Sequence, residues 1–179
     1  PQNAFVVGMV ARMVPIKRHT DLFKAIPKVL EHYPDTYFLN VGDGELRPQL
    51  DALAKELNIT DRCLFAGFRD DQERIYSSVD LSVLTSANEG LPVAVIESLS
   101  SGKAVVATKV GGVPELLEDG ETGYIVEPGN IDSIADGLIK AVSDPEKTRQ
   151  MGLKGQNQTI EKYSIKRLVR DIDGLYQDL

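Results

Sequence analysis

The chain alternates short, continuous apolar runs with longer amphipathic segments along most of its length. The apolar runs are rich in β-branched residues and predict strands at residues 4–10, 37–42, 63–68, 80–85, 103–108 and 122–127. Strands that are apolar on both faces are typical of parallel sheets covered by helices on both sides. The alternation therefore predicts an α/β fold with a doubly wound, mostly parallel sheet.

Helical periodicity fills the segments between and after these strands. The predicted helices cover residues 20–33, 45–58, 70–78, 92–101, 113–119, 131–144, 145–163 and 165–179. Pro27 predicts a kink in the first of them, whereas Pro48 falls in the first turn of the second, where proline is tolerated. Because no linker or repeat interrupts the pattern, we expect residues 1–179 to form one Rossmann-like domain.

The net charge, the cysteine count and the length of the apolar runs disfavour some classes of function. The 179 residues carry a net charge of −7, which disfavours nucleic acid as the main partner. The single cysteine, Cys63, fits a reducing compartment and lies in a predicted strand, so we interpret it as a core residue. No apolar run is long enough to span a membrane, and the expected location is cytoplasmic. The chain starts at Pro1 and enters a core strand at once, which suggests a piece of a longer protein.

Glycine and charge gather in the loops that follow the predicted strands. Doubly wound sheets bind ligands at this carboxyl edge. The most informative loop reads TSANEGLP, residues 85–92, and leads into a predicted helix. The amides of Gly90, Leu91 and Val93 would lie at the helix N-terminus, which favours an anion such as phosphate.

Two carboxylates flank that predicted anion site. Glu89 stands just before it and Glu97 lies a turn or more inside the helix, where it interrupts an apolar run. A buried carboxylate needs partners, and carboxylates accept paired hydroxyl hydrogens, so sugars are suitable ligands.

The loop after the first strand, ARMVPIK, supplies cations. Arg12 and Lys17 could both turn toward the same phosphates if this loop is flexible. Gly111 and Gly112 form a second glycine-rich turn that permits close backbone approach. Together the loops suggest a sugar-bearing diphosphate as the ligand. Asp171 and Asp173 are two apart on a helix and point away from each other, so we reject them as a metal site.

The sequence resembles the C-terminal, donor-binding domain of retaining GT-B glycosyltransferases of group 1, the GT4 type. The resemblance rests on VARMVPIK (10–17), VGDGELR (41–47), FAGF (65–68), the segment 89–130 and the closing YSIKRLVRDIDGLYQDL. The two glutamates separated by seven residues are its most specific element, whereas GDG alone is weak.

The resemblance implies roles for these residues. Arg12 and Lys17 would neutralise the donor diphosphate without a metal, and Glu89 would bind hydroxyls of the transferred sugar. The amides after Glu89 would hold the distal phosphate. Glu97 would accept both ribose hydroxyls, and the backbone of residues 68–69 (Phe68 and Arg69) would meet the nucleobase.

The sequence departs from the family pattern at a few positions. Arg18 stands where glycine often follows the lysine, and the other departures are Ser98, Ser100 and Ala104. The resemblance also implies a partner: an N-terminal domain of the same chain with the acceptor site and a catalytic histidine. The acceptor would be a sugar or lipid, and this domain alone would bind the nucleotide of the donor without turnover.

Two alternatives stay open. One is a non-catalytic nucleotide-binding Rossmann-like module, although the dinucleotide fingerprint fails because Arg47 replaces its third glycine. The other is a nucleotide-sugar epimerase on the GT-B scaffold, which would need acid–base histidines where the loops offer only His19. A basic face formed by Lys162, Lys166, Arg167 and Arg170 is expected to be solvated, with peripheral membrane contact as a secondary expectation.

Overall fold

A computed structural model describes residues 4–177, so the ends of the predicted domain, residues 1–3 and 178–179, lie outside it. Its strands are β1 (Phe5–Val10), β2 (Thr36–Val41), β3 (Cys63–Gly67), β4 (Leu81–Leu84), β5 (Ala104–Thr108) and β6 (Gly123–Val126). All neighbouring strands pair in parallel, in the order β3-β2-β1-β4-β5-β6. The predicted doubly wound parallel sheet is confirmed.

Eight helices connect and follow the strands in the described residues. They are α1 (His19–His32), α2 (Arg47–Glu56), α3 (Gln72–Ser77), α4 (Val93–Ser100), α5 (Val113–Leu116), α6 (Ile131–Ser143), α7 (Pro145–Tyr163) and α8 (Ile165–Gln177). Each predicted helix is present, with bounds shifted by three residues or fewer. α1 continues through Pro27 as one helix. The sequence reasoning missed two single-turn 3-10 helices, Pro15–Lys17 and Thr60–Arg62.

The sheet carries apolar side chains toward both faces. Along β5, Val106 belongs to one core with α1 and α6, whereas Val105 belongs to a second core with α4 and α5. This alternation follows from the twofold repeat of a strand. Cys63 is buried in the first core, as predicted, and burial raises the pKa of its thiol to about 12.

The strand order places a topological switch point between β1 and β4. These two strands are neighbours, yet the chain leaves β1 toward β2 on one side and leaves β4 toward β5 on the other. The helices that follow them, α1 and α4, therefore pack on opposite faces of the sheet, and folds of this kind hold their ligands in the crevice at this point of the carboxyl edge. Residues 11–18 and 85–92 are the loops that lead into these two helices.

The last helix, α8, has a row of exposed apolar side chains on one face. Its exposed apolar side chains are Ile165, Leu168, Val169, Ile172, Leu175 and Tyr176. They recur at helical spacing, so they share one face. Within residues 4–177, every helix is too short or too polar to cross a membrane.

Candidate functional site

Backbone and hydroxyl hydrogen bonds join the two loops at the switch point. The amide of Ala87 donates to the carbonyl of Ile16 at 2.8 Å. The buried hydroxyl of Thr85 lies 3.2 Å from the carbonyl of Lys17 and 3.1 Å from that of Arg18. Lys17 also ends the 3-10 helix Pro15–Lys17. The end of this loop is thus an ordered turn held against the loop that follows β4.

Lys17 and Glu89 form an ion pair across this junction. Lys17 Nζ lies 2.5 Å from Glu89 Oε1, and the hydroxyl of Ser86 donates to the same oxygen at 2.6 Å. The Glu89 side chain is only 10% exposed, and that of Lys17 is 22% exposed. Among the described residues, no donor reaches Glu89 Oε2. The carboxylate is therefore held by one oxygen and retains the other as an acceptor.

Arg18 takes the left-handed conformation that glycine adopts readily. Its φ and ψ are 50° and 42°, between the 3-10 helix and α1. Its guanidinium Nε lies 2.5 Å from Asp21 Oδ2, and this carboxylate raises the pKa of Arg18. The departure from glycine thus leaves the backbone path glycine-like and strained, and the side chain of Arg18 is held by the ion pair with Asp21.

Glu97, like Glu89, has one carboxylate oxygen bonded within the chain and one that is free. The hydroxyl of Tyr76 lies 3.1 Å from Glu97 Oε2, while Oε1 has no donor among the described residues. Glu97 is half-buried on α4, and Tyr76 is buried on α3. Sequence reasoning missed Tyr76 because it precedes Glu97 by 21 positions and carries no motif.

The N-terminus of α4 offers open donors, as predicted. The helix begins at Val93, with Pro92 as its cap residue. The amides of Gly90, Leu91 and Val93 have no acceptor among the described residues, and all three residues lie at or near the surface. Such amides at a helix start favour an anion.

The glycine pair at 111 and 112 approaches the Glu89 loop rather than an open space. A Cβ on Gly111 would lie 1.6 Å from the carbonyl oxygen of Glu89. The amide of Gly112 donates to the carbonyl of Gly90 at 2.7 Å. Both glycines therefore have a packing role inside the chain, and their direct contact with a ligand stays a prediction.

Three other predicted residues lie at the surface, in the loops that follow β1 and β3. Arg12 is exposed and has no ion-pair partner in the described part of the chain. Phe68 is 80% exposed at the end of β3. Arg69 pairs with Asp71, with Nε 2.7 Å from Oδ1. The structure does not bring Arg12 into contact with the Lys17–Glu89 pair.

His19 follows this site but faces the interior. Its side chain is fully buried, and neither ring nitrogen has a hydrogen-bond partner. Burial, with a smaller contribution from the charge of Lys17, lowers the pKa of His19 to about 4. The imidazole is therefore neutral, and it has no hydrogen-bond partner among the described residues that would serve as a proton donor. Within residues 4–177, no three His, Cys, Asp or Glu side chains form a group that could hold a metal ion.

A parallel sheet with open amides, a cation and two carboxylates at its switch point defines a Rossmann-like ligand-binding domain. The GT-B fold is built from two domains of this class, and the chain has the architecture of one half. The sequence model of the family described as "Glycosyl transferases group 1" matches residues 1–158. The chain belongs to this family.

Individual relatives agree with that assignment. The N-acetyl-alpha-D-glucosaminyl L-malate synthase of Bacillus anthracis is 32% identical over 92% of this chain, and the aligned part is 43% of that enzyme. Anabaena Alr3699/HepE, solved in complex with UDP, is 28% identical, with a TM-score of 0.90 over 99% of this chain and 50% of that one. The same protein has also been solved in complex with UDP-glucose.

A third relative is itself a single domain. The C-terminal domain of the group 1 family protein LpcC from Francisella tularensis is 29% identical, with a TM-score of 0.82, and the match covers 90% of this chain and 87% of that one. The chain spans about half the length of the longer relatives it matches.

Proposed function

We propose that this chain binds the nucleotide diphosphate sugar donor of a retaining glycosyltransferase. The observation that carries the proposal is the Lys17–Glu89 ion pair at the switch point, which leaves Glu89 Oε2 open beside the amides that begin α4. Cation, amides and acceptor oxygen match the phosphates and hydroxyls of such a donor. The complex of HepE with UDP-glucose supports this ligand class.

In this proposal Lys17 serves two partners at once. Its ammonium has three N–H donors, of which one is occupied by Glu89, so the others remain for phosphate oxygens. Arg12 and the amides of residues 90–93 complete the anion site. When the bond between the anomeric carbon and the phosphate oxygen breaks, its electron pair goes to the diphosphate, and these groups stabilise the charge without a metal. The sugar left behind has oxocarbenium character.

The two glutamates recognise hydroxyls on either side of the diphosphate. Glu89 would accept hydroxyl hydrogens of the sugar, and Glu97 would accept those of the ribose through its free oxygen and remaining lone pairs. The backbone of Phe68 and Arg69 would border the nucleobase. The exposure of both residues leaves this strand end accessible.

The partners of this domain follow from the family. The proposed whole enzyme adds an N-terminal domain with the acceptor site and a catalytic histidine, and its acceptor is a sugar or a lipid. The exposed apolar row of α8 is a surface that such a domain could cover, and the adjacent Lys166, Arg167 and Arg170 could contact a membrane peripherally. We place the enzyme in the cytoplasm, at or near the inner face of the membrane.

The alternatives have less support. An epimerase would need a histidine that can exchange protons with its substrate, and the one loop histidine, His19, is fully buried. A non-catalytic module remains compatible with the open amides, but it does not account for a carboxylate held with a free acceptor oxygen at the sugar end of the site.

Isothermal calorimetry with UDP, GDP and UDP-glucose tests the proposal. We expect at least one nucleotide diphosphate to bind, with equal affinity in the presence of EDTA, and no transfer to simple acceptors. Glu89→Gln should weaken a sugar nucleotide more than the matching diphosphate, because only the former places hydroxyls at Oε2. The absence of heat with all three ligands at millimolar protein would reject the proposal.

A further inference from the structure

The phenol of Tyr76 touches the proposed ribose carboxylate from inside the protein. Tyr76 lies on the short helix α3 and is buried. Its oxygen lies 3.1 Å from Glu97 Oε2 and 3.2 Å from the carbonyl of Ala94, one turn earlier on α4. No motif in the sequence indicates a role for this residue.

The phenol must be the donor in this contact. A carboxylate carries no hydrogen to share when ionised, so the proton between the two groups belongs to Tyr76. Burial, and then the negative charge of Glu97, raise the pKa of Tyr76 far above its usual range, which keeps it protonated. The single phenol hydrogen cannot make a strong bond to both Glu97 Oε2 and the carbonyl of Ala94. The charged oxygen of Glu97 is the stronger acceptor of the two.

This contact restricts how Glu97 presents itself at the surface. A half-buried glutamate without a partner samples several rotamers, and a ligand that needs one of them must select it. With Oε2 held by Tyr76, Oε1 has a defined direction and no donor among the described residues. The free oxygen then faces any ligand in a fixed orientation.

We propose that Tyr76 is a positioning residue that orients Glu97 toward the two ribose hydroxyls of the bound nucleotide. The inference rests on the proposed donor-binding function and deepens it. It assigns recognition of the ribose diol to the half-buried Glu97 together with the buried Tyr76, rather than to Glu97 alone.

The position of α3 extends this role toward the nucleobase. α3 begins directly after the loop that contains Phe68 and Arg69, and the ion pair between Arg69 and Asp71 ties that loop to the start of the helix. A displacement of α3 would therefore move the base-side loop and release Glu97 together. Tyr76 thus connects the base side of the crevice with its ribose side.

The test compares a nucleotide with its analogue that lacks both ribose hydroxyls. Calorimetry on the present chain would measure UDP, GDP and their 2′,3′-dideoxy forms with the wild type and with Tyr76→Phe. We expect Tyr76→Phe to weaken the normal nucleotide about five- to tenfold and the dideoxy form by less than about twofold. A purely structural tyrosine would weaken both forms equally, and that result would overturn the inference.

The matched control is Tyr124→Phe. Tyr124 is a half-buried tyrosine on β6 whose hydroxyl makes no hydrogen bond within the described residues, so its loss should leave both affinities unchanged. Should Tyr76→Phe fold poorly, Tyr76→Met also removes the hydroxyl, with a flexible apolar side chain, and should show the same ligand dependence. An equal loss for both nucleotide forms in the Met variant would count against the inference.

A double-mutant cycle identifies the route of the effect. In a Glu97→Gln background the charged acceptor is gone, so the added loss from Tyr76→Phe should shrink to less than about twofold. If the two losses multiply independently, Tyr76 does not act through Glu97. If the wild type binds neither nucleotide, the donor-binding function fails and the inference with it. If the wild type binds the normal nucleotides more tightly than the dideoxy forms and Tyr76→Phe keeps the same ratio of affinities, the donor-binding function stands. In that case only the positioning role of Tyr76 is wrong.

Discussion

Lys17 and Glu89 are 72 positions apart in the chain, yet Lys17 Nζ lies 2.5 Å from Glu89 Oε1 at the carboxyl edge of the sheet. The contact exists because β1 and β4 are neighbours in the sheet, so that the loops following them meet. The pair neutralises a largely buried carboxylate and keeps a cation at the place where a phosphate is expected.

Replacement of Lys17 by Met should separate diphosphate binding from nucleoside binding. Hydrogen bonds to charged groups contribute roughly 1.5–3 kcal/mol, so we expect about a ten- to hundredfold loss of affinity for UDP or GDP and little change for uridine or guanosine. Calorimetry measures both. Lys24→Met, at an exposed position of α1, is the matched control and should bind as the wild type does. An equal loss for nucleoside and diphosphate would contradict a phosphate role for Lys17.

Gly111 should tolerate no side chain. Gly111→Ala would place a Cβ 1.6 Å from the carbonyl oxygen of Glu89 at a φ of 49°, so both clash and strain oppose it. Gly120→Ala isolates the strain, because φ there is 77° and no atom lies within 4 Å of the new Cβ. We expect Gly120→Ala to lower the free energy of unfolding by about 1–2 kcal/mol and Gly111→Ala by clearly more, measured by urea unfolding. Equal losses would show that the Glu89 loop moves aside freely.

Arg18 should reveal the strain of its left-handed conformation through two substitutions. Both Arg18→Gly and Arg18→Ala remove the ion pair with Asp21, but only glycine also relieves the strain. The difference between the free energies of unfolding of the two variants therefore isolates the strain of the backbone at position 18. Left-handed strain of 1–2 kcal/mol, reduced by the greater flexibility of glycine in the unfolded chain, predicts that Arg18→Gly is more stable than Arg18→Ala by about 1 kcal/mol. Chemical denaturation measures this, and the opposite order would contradict the strain.

His19 should make the fold sensitive to mild acid. Its pKa is about 4 in the fold against about 6.5 when unfolded, so the unfolded chain takes up a proton first as the pH falls. The contribution of neutral His19 to the free energy of unfolding is complete above about pH 6.5. It is lost progressively as the pH falls to about 4, by up to about 3 kcal/mol. His19→Phe should therefore lose less stability than the wild type between pH 7 and pH 4.5. The exposed His32 provides the control, and His32→Gln should keep the pH dependence of the wild type.

The sequence predicted the framework because each strand carries its own local signal. The run from Ala104 to Thr108 is continuously apolar up to its final threonine, and such a run is buried on both faces wherever it pairs. The expectation that the loops after β1 and β4 form one site followed from the same framework. Glu89 and Lys17 were named from the positions of their loops and from the resemblance to the family.

The contacts inside the site were beyond the sequence because they depend on side-chain direction across long separations. Nothing near Tyr76 indicates that its hydroxyl meets Glu97, and the turn ending at Lys17 becomes ordered only through Thr85 and Ala87 of another loop. Gly111 was expected to meet a ligand, whereas its missing side chain makes room for the Glu89 carbonyl. Ligand roles for all these residues stay predictions.

The opposite edge of the sheet has a consequence for protein engineering. The turns at residues 33–35, 57–62 and 78–80 return the chain to the start of a strand and hold none of the proposed recognition groups. Insertions, tags or randomised libraries at the turn 33–35, which has no buried residue, should leave donor selectivity intact. The two edges could thus be evolved separately, one for solubility and assembly and the other for the choice of sugar.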